Sequence, residues 1–149
     1  MLFTQKETTL LKDTQKQEQL CVQKYVKASA KAKDPQLKAL FEEIGAQESE
    51  HVRIVTQMLR GEVTDYKASN LSNEFTNYYD EVSDPTEKQE DTYLCEDCLD
   101  IEKHVSNVYN TSIFEFQDSH VRSQLNELQT EEQQHGEVIS SYMKANGMC

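Results

Sequence analysis

Residues 34–61 read DPQLKALFEEIGAQESEHVRIVTQMLRG, and this stretch contains the beginning, the repeat and the end of one amphipathic helix. Asp34 followed by Pro35 is typical of a helix N-cap with proline in the first turn, and Gly61 suits a C-terminal cap. Between them, the residues of one face recur at spacings of four and three, which predicts a helix over 35–60. That face consists of Leu37, Phe41, Ile44, Glu48, His51, Val55 and Met58.

The same pattern occurs a second time along the chain. A shift of 84 positions places Asp34 on Asp118, and it superimposes the predicted helix on a second one over 119–146 that Gly147 closes. The matching face of this helix consists of Val121, Leu125, Leu128, Glu132, His135, Ile139 and Tyr142. The chain is therefore an internal repeat, which is the first feature to establish before a fold is predicted.

A further helix precedes each of these two. One is predicted over 5–33, opened by the capping box Thr4-x-x-Glu7, and the other over 86–117, opened by Asp84. The very short joints at residues 34 and 118 fold each pair into an antiparallel hairpin, and residues 61–85 are long enough to cross the length of a bundle. We predict one all-α domain over residues 1–149, a ferritin-like four-helix bundle of two hairpins joined by a long crossover.

The charge of the chain excludes several classes of partner. The 149 residues carry a formal net charge of −12, whereas nucleic acids and anionic membrane surfaces require a basic patch. No apolar run approaches the roughly 18 residues of a transmembrane helix. The first residues lack the layout of a signal peptide, so we expect a cytoplasmic protein that binds neither nucleic acid nor membrane.

Each half of the repeat carries one Glu on its first helix and a Glu-x-x-His on its second. The members are Glu18, Glu48 and His51 in the first half, and Glu102, Glu132 and His135 in the second. Glu and His three residues apart share one helical face, and here that face is the apolar one. Four carboxylates in one buried layer repel each other unless positive charge lies between them. The pattern therefore predicts two divalent metal ions, with iron as the first choice and manganese as the alternative.

The two halves predict a role for each ligand. We expect Glu18 and Glu102 to be terminal ligands, Glu48 and Glu132 to bridge the two ions, and each histidine to bind one ion. The alternative interpretation is solvated charge at one end of a bundle. One Glu-x-x-His arises easily by chance in a Glu-rich chain, but two in register with a repeat favour the metal site.

Tyr25 and Tyr109 lie seven residues after the glutamates of the first and third helices, on the same faces. Their phenols are candidates to donate hydrogen bonds to the ligand carboxylates during a reaction. The alternative is a role in core packing with one satisfied hydroxyl group. Both roles use the same geometry, so the spacing does not decide between them.

Several other polar residues fall outside the pattern. His104 and His120 are expected at the surface, and so are the carboxylates that lie off the apolar faces, namely Glu42, Glu43, Glu50, Glu131 and Glu137. Cys95 and Cys98 form a single Cys-x-x-Cys with no second pair. We interpret them as free thiols on a helix, with a redox or metal role as the weaker alternative.

The segment DIEKHVSNVYNTSIFEFQDSHVRSQLNELQTEEQQHGEVISSYMKANG, residues 100–147, resembles the spore coat protein F family. The shared features are Val108-Tyr109-Asn110, the acidic residue before the last helix, Glu131-Glu132-Gln-Gln-His135, and the closing Tyr142-Met143 to Asn146-Gly147. The chain as a whole resembles the ferritin-like superfamily, with a metal pattern similar to that of rubrerythrins and bacterioferritins. The resemblance implies a ferritin-like bundle associated with the spore coat.

Three functions are compatible with these patterns. The first is a di-iron oxidoreductase that reacts with O2 or peroxide. The second is a structural coat protein that contacts other coat proteins or a second copy of itself, with a metal that only stabilises the bundle. The third is a metal-free bundle. Rubrerythrins carry an extra carboxylate near the third-helix ligand, whereas Leu99 and Val105 flank Glu102 here, and this difference favours the second function.

Overall fold

The computed structural model describes residues 2–79 and 84–149, and these residues form four long α-helices. The helices are α1 (Gln5–Lys31), α2 (Pro35–Leu59), α3 (Pro85–Glu115) and α4 (Ser119–Ala145). The all-α four-helix prediction is confirmed, and each helix begins and ends within two residues of its predicted bounds. Among the described residues, no helix is long and apolar enough to cross a membrane.

The helix ends follow the predicted capping residues. Thr4 and Glu7 form a complete capping box, and Asp34, Asp84 and Asp118 each accept a hydrogen bond from a backbone N–H of the first helical turn. These caps satisfy N–H groups that have no partner within the helix. Gly61, at φ 82°, provides the left-handed backbone that lets the chain leave α2.

The two hairpins pack against each other in an antiparallel arrangement. At one end of the bundle, the Gln117 N–H donates to Glu7 Oε2 at 3.3 Å, and the rings of Phe3 and Phe116 make an edge-to-face contact. At the other end, the Lys33 N–H donates to Asp91 Oδ1 at 2.9 Å. Because α1 begins where α3 ends, these two helices run in opposite directions side by side.

The crossover between the hairpins lies along α2 and α4. The Gln124 side chain on α4 accepts from the Tyr66 N–H at 2.8 Å and donates to the Tyr66 carbonyl at 3.1 Å, so it pairs with the crossover backbone. Near its other end, the Tyr78 N–H donates to Asn146 Oδ1 at 2.9 Å. The crossover is thus fixed at both ends of α4, while residues 80–83 of the predicted crossover lie outside the described residues.

Two apolar clusters fill the bundle and leave a polar layer between them. The first contains Leu37, Phe41 and Ile44 and is closed by crossover residues including Phe75 and Tyr79. The second lies towards the opposite end and contains residues of all four helices, among them Leu11, Met58, Val105, Val121 and Leu125. The polar layer is therefore enclosed by apolar side chains above and below, where water is excluded.

A buried network joins the end of the crossover to three helices. Asp91 on α3 accepts from the Lys33 N–H, from the Asp34 N–H at 3.0 Å and from the Tyr79 hydroxyl. The Tyr142 hydroxyl donates to Asp34 Oδ2 at 2.6 Å and lies 3.0 Å from the Tyr79 hydroxyl oxygen. The Asp91 carboxylate thus accepts hydrogen bonds both from the backbone of the first helical joint and from Tyr79 of the crossover.

We predict that Asp91→Ala destabilises the protein strongly. The substitution removes the acceptor of the buried Asp34 N–H and Tyr79 hydroxyl and of the partly buried Lys33 N–H, which costs about 3 kcal/mol or more. Thermal denaturation should show a melting temperature lower by roughly 6–12 °C. Glu90→Ala, at the exposed neighbouring position, is the control and should change the melting temperature little. Equal melting temperatures for the two variants would contradict this account of the joint.

Candidate metal centre

The polar layer brings together all six residues that the sequence predicts as ligands. They form two groups in which one ligand atom from each residue lies within 4.8 Å of the others. The groups found among the described residues are Glu18, Glu48, His51 and Glu132, and Glu48, Glu102, Glu132 and His135. Glu48 and Glu132 are common to both groups, which is the arrangement expected of carboxylates that bridge two ions.

The six side chains are buried and their polar atoms are incompletely satisfied. None of the six is more than 2 % exposed. The side-chain atoms without a hydrogen-bond partner include Glu18 Oε1, both Glu48 oxygens, Glu102 Oε2, Glu132 Oε2 and His135 Nδ1. Buried polar atoms are normally paired because an unpaired one loses its hydration without compensation. Six such atoms converging in one layer fit a site for cations, and their oxygen and imidazole donors suit iron or manganese.

Without a metal ion, bound protons neutralise part of the negative charge of these side chains. Burial and the nearby Glu48 carboxylate raise the pKa of Glu18 to about 8. Burial and three neighbouring carboxylates raise the pKa of Glu132 well above its usual range. Burial disfavours the imidazolium form of His135, but Glu102 and Glu48 outweigh it and raise its pKa to about 9. A metal ion that binds here must therefore displace protons.

Both histidines face the centre with Nδ1. His51 Nδ1 lies 2.7 Å from Glu18 Oε2 and 2.8 Å from Glu132 Oε1. His135 Nδ1 lies 2.8 Å from Glu48 Oε1, although the angle there does not make a hydrogen bond. In each case Nε2 points away from the centre, and a partner on that side sets the tautomer and the orientation of the ring.

The partners of Nε2 come from equivalent positions in the two halves. Glu131 Oε1 lies 2.6 Å from His51 Nε2, and Gln47 Oε1 lies 2.6 Å from His135 Nε2. Glu131 and Gln47 are 84 positions apart, each directly before the Glu of its Glu-x-x-His. The centre therefore follows the sequence repeat, except that a carboxylate supports one histidine and an amide supports the other.

The prediction that Glu131 is solvated is wrong. Its side chain is fully buried because the crossover covers it, with the Tyr66 hydroxyl donating to Oε1 at 2.6 Å and the Ser69 N–H to Oε2 at 2.8 Å. Burial raises the pKa of Glu131, but the hydrogen bonds with His51, Tyr66 and Ser69 outweigh it and leave the pKa below the usual value. The repeat shows only that Glu131 and Gln47 are equivalent, whereas the burial of Glu131 depends on the path of the crossover.

The two tyrosines of the pattern contact carboxylates of the opposite half. The Tyr25 hydroxyl donates to Glu102 Oε1 at 2.7 Å, and the Tyr109 hydroxyl donates to Glu18 Oε2 at 3.0 Å. Both rings are also part of the apolar clusters. The structure therefore combines the two alternatives, since each tyrosine packs in the core and orients a candidate ligand.

The remaining sequence candidates lie away from the centre or do not contribute ligands to it. Cys95 and Cys98 are buried free thiols, and burial raises the pKa of Cys98 to about 12, so both are protonated at neutral pH. Neither candidate group among the described residues includes a thiol. His104 and His120 are exposed, and His120 Nε2 pairs with Asp65 Oδ1 at 2.9 Å.

Comparison with known families finds a match for the C-terminal part of the chain. Residues 90–149 match the Coat F domain. This Coat F segment begins within α3 and contains Glu102, Glu132 and His135, and the match supports the resemblance to the spore coat protein F family. No curated protein and no solved structure matches the chain. Membership of the ferritin-like superfamily stays a prediction.

Proposed function

We propose that this protein is a spore-coat protein whose bundle binds two divalent metal ions, iron first and manganese as the alternative. The Coat F segment indicates the association with the spore coat. The observation that carries the metal proposal is the convergence of unpaired buried oxygens and one unpaired imidazole nitrogen in a single layer. Without cations this layer holds four carboxyl groups in an apolar interior, where burial disfavours their charged form.

The geometry supports the ligand roles predicted from the repeat. One ion would be held by Glu18 and His51 and the other by Glu102 and His135, with Glu48 and Glu132 shared. We call the first set the His51 half-site and the second the His135 half-site. Fe(II) bound in such a site would supply electrons for the reduction of O2 or peroxide and would itself be oxidised to Fe(III), and this is the oxidoreductase function that we propose.

The protein's own residues would assist that chemistry in two ways. Tyr25 and Tyr109 hold protons at 2.7 and 3.0 Å from ligand carboxylate oxygens, and their hydrogen bonds fix the carboxylates in one orientation. Burial raises the pKa of both phenols, so they remain donors at neutral pH. The apolar clusters exclude water from the core above and below the layer.

A structural role is the second candidate, and one feature of the core favours it. The two apolar clusters meet at the polar layer, so metal ligation there would join all four helices at the middle of the bundle. Leu99 and Val105, which flank Glu102, add no further carboxylate to the site. In this role the protein would contact other coat proteins or a second copy of itself.

Metal analysis followed by oxidation kinetics separates these functions. We expect two ions per chain after anaerobic loading with Fe(II). An oxidoreductase then consumes O2 or peroxide in proportion to the bound iron and gains absorption in the near ultraviolet. If the iron binds but neither oxidant reacts, the structural role is correct. If no stoichiometric iron or manganese binds, the protein is the metal-free bundle and the metal proposal is wrong.

A further inference from the structure

A cleft between α3 and α4 reaches the metal centre from one side. Its volume is about 600 Å³, and its lining includes the ligands Glu102 and Glu132 together with Ser106 and Gly136. The equivalent groove between α1 and α2 is lined by Gln19, Val22, Gln23, Ser49 and Val52. None of these five residues is a candidate ligand, so the groove on this face ends before the centre.

The sequence repeat explains why only one of these two grooves is lined by candidate ligands. Under the shift of 84 positions, Val22 is equivalent to Ser106, and Val52 is equivalent to Gly136. Two branched apolar side chains therefore line the smaller groove, of about 410 Å³, where the larger one has a hydroxymethyl group and a hydrogen atom. A Cβ added at Gly136 would lie 3.5 Å from Leu99 Cδ1, an ordinary contact, so neighbouring side chains do not require glycine there.

The residues that contact Nε2 of the two histidines also differ between the two halves of the repeat. Glu131 provides a carboxylate to His51 Nε2, whereas Gln47 provides a neutral amide oxygen to His135 Nε2. A carboxylate partner makes an imidazole a stronger metal ligand, and it adds negative charge near the ion. Tyr66 and Ser69 of the crossover hold Glu131 in place, so this support is rigid.

We infer that the two half-sites are unequal: the His51 half-site binds its ion tightly within the closed core, and the His135 half-site exchanges its ion through the cleft between α3 and α4. The inference rests on the proposed metal binding. It assigns Glu131 as the positioning residue of the tight half-site, and Ser106 and Gly136 as the residues that keep the access route open.

Manganese titration of the full chain tests the difference in affinity. Mn²⁺ is chosen because its electron paramagnetic resonance signal distinguishes free from bound ions. The intact protein should bind two Mn²⁺ ions with different Kd values. Glu131→Gln should weaken the tighter ion by about 10- to 100-fold and leave the weaker one unchanged. Gln47→Glu, the matched variant in the other half, should instead tighten the weaker ion.

Several outcomes of this titration would overturn the inference. Equal Kd values in the intact protein, or an equal loss at both half-sites in Glu131→Gln, would show that the half-sites are equivalent. Tyr66→Phe removes one support of Glu131 but keeps its carboxylate on His51, so it should weaken the tight ion less than Glu131→Gln does. A protein that binds no Mn²⁺ at all would contradict the proposed function itself.

Exchange kinetics test the access route separately. Gly136→Val should slow both the uptake and the chelator-driven release of the weaker ion by the same factor, so that its Kd is unchanged. Val52→Ala, at the equivalent position of the smaller groove, is the control and should leave exchange of the weaker ion unaffected. Unchanged exchange rates in a folded Gly136→Val protein would show that the ion does not use this cleft.

Discussion

Glu132→Gln will remove the stabilisation that metal ions give to the protein, while the metal-free protein keeps its stability. Glu132 belongs to both groups of candidate ligands, so the substitution impairs both half-sites together. Two ions, each at about 100 times its Kd, add about 5 kcal/mol to the free energy of unfolding. For a chain of this size the corresponding shift in melting temperature is about 10–20 °C.

Glu132→Gln separates the effect of the metal on stability from other effects, because its side chain resembles that of Glu132 in the metal-free protein. The raised pKa of Glu132 means that its side chain carries a proton there, and glutamine is a neutral group of similar shape. Melting curves should therefore coincide for the intact protein and the variant without metal, and differ with Fe(II) or Mn²⁺ added. Glu43→Gln, at an exposed position of α2, is the control and should keep the full metal effect. Undiminished stabilisation in Glu132→Gln would contradict the shared role of this carboxylate.

The metal-free protein will become less stable as the pH rises from about 5 to 9, and bound metal will reverse this trend. Burial and Glu48 raise the pKa of Glu18 from 4.5 to about 8 on folding. Glu102 and Glu48 outweigh burial to raise that of His135 from 6.5 to about 9. The folded state therefore holds more protons than the unfolded state in this range.

The sign of the effect follows from proton linkage. The contribution of His135 is complete below pH 6.5 and is lost as the pH rises through 9, and that of Glu18 is lost between pH 4.5 and 8. For each proton that the folded state binds in excess of the unfolded state, the unfolding free energy falls by about 1.4 kcal/mol when the pH rises by one unit. Metal ions displace these protons, so their affinity increases with pH.

Chemical denaturation at a series of pH values, with a chelator and with Mn²⁺, provides the measurement. The unfolding free energy should fall with pH in the chelated samples and should not fall in the loaded ones. Loading in buffers of different ionisation enthalpy should also show proton release by calorimetry. A metal-free protein that is equally stable at pH 5.5 and pH 8.5 would show that these groups do not carry the assigned protons.

The bundle and the six candidate ligands could be predicted from the sequence because the repeat carries them directly. Asp34 and Asp118 cap equivalent helices, and Glu48 and Glu132 then lie on faces whose other members are apolar. Helical periodicity turns each such face inwards. The position of each of these residues along its helix therefore determines that it faces the core.

Glu131, Gln124 and Asp91 could not be predicted in the same way. Glu131 and Gln124 lie on the flank of α4, which would face solvent in a bundle of four bare helices. The crossover covers that flank, and it has no periodicity from which its path could be read. Asp91 is buried because three hydrogen-bond donors from distant parts of the chain meet it. Burial of this kind depends on tertiary contacts alone.

The hydrogen bonds that orient the ligands from outside the centre pass from one half of the repeat to the other. Tyr25 reaches Glu102, Tyr109 reaches Glu18, and His51 and Glu131 meet across the same boundary. One hairpin alone therefore lacks these orienting partners of its ligands, whereas two identical hairpins related by a two-fold axis would supply them through an isologous interface.

Such a symmetric pair would have to carry the same residue at both equivalent positions. The covalent crossover removes that constraint, since it places the two hairpins on one chain where each position can change independently. Gln47 can then differ from Glu131, and Val52 from Gly136. Joining the halves is thus what allows a centre with two-fold geometry to have two different sides.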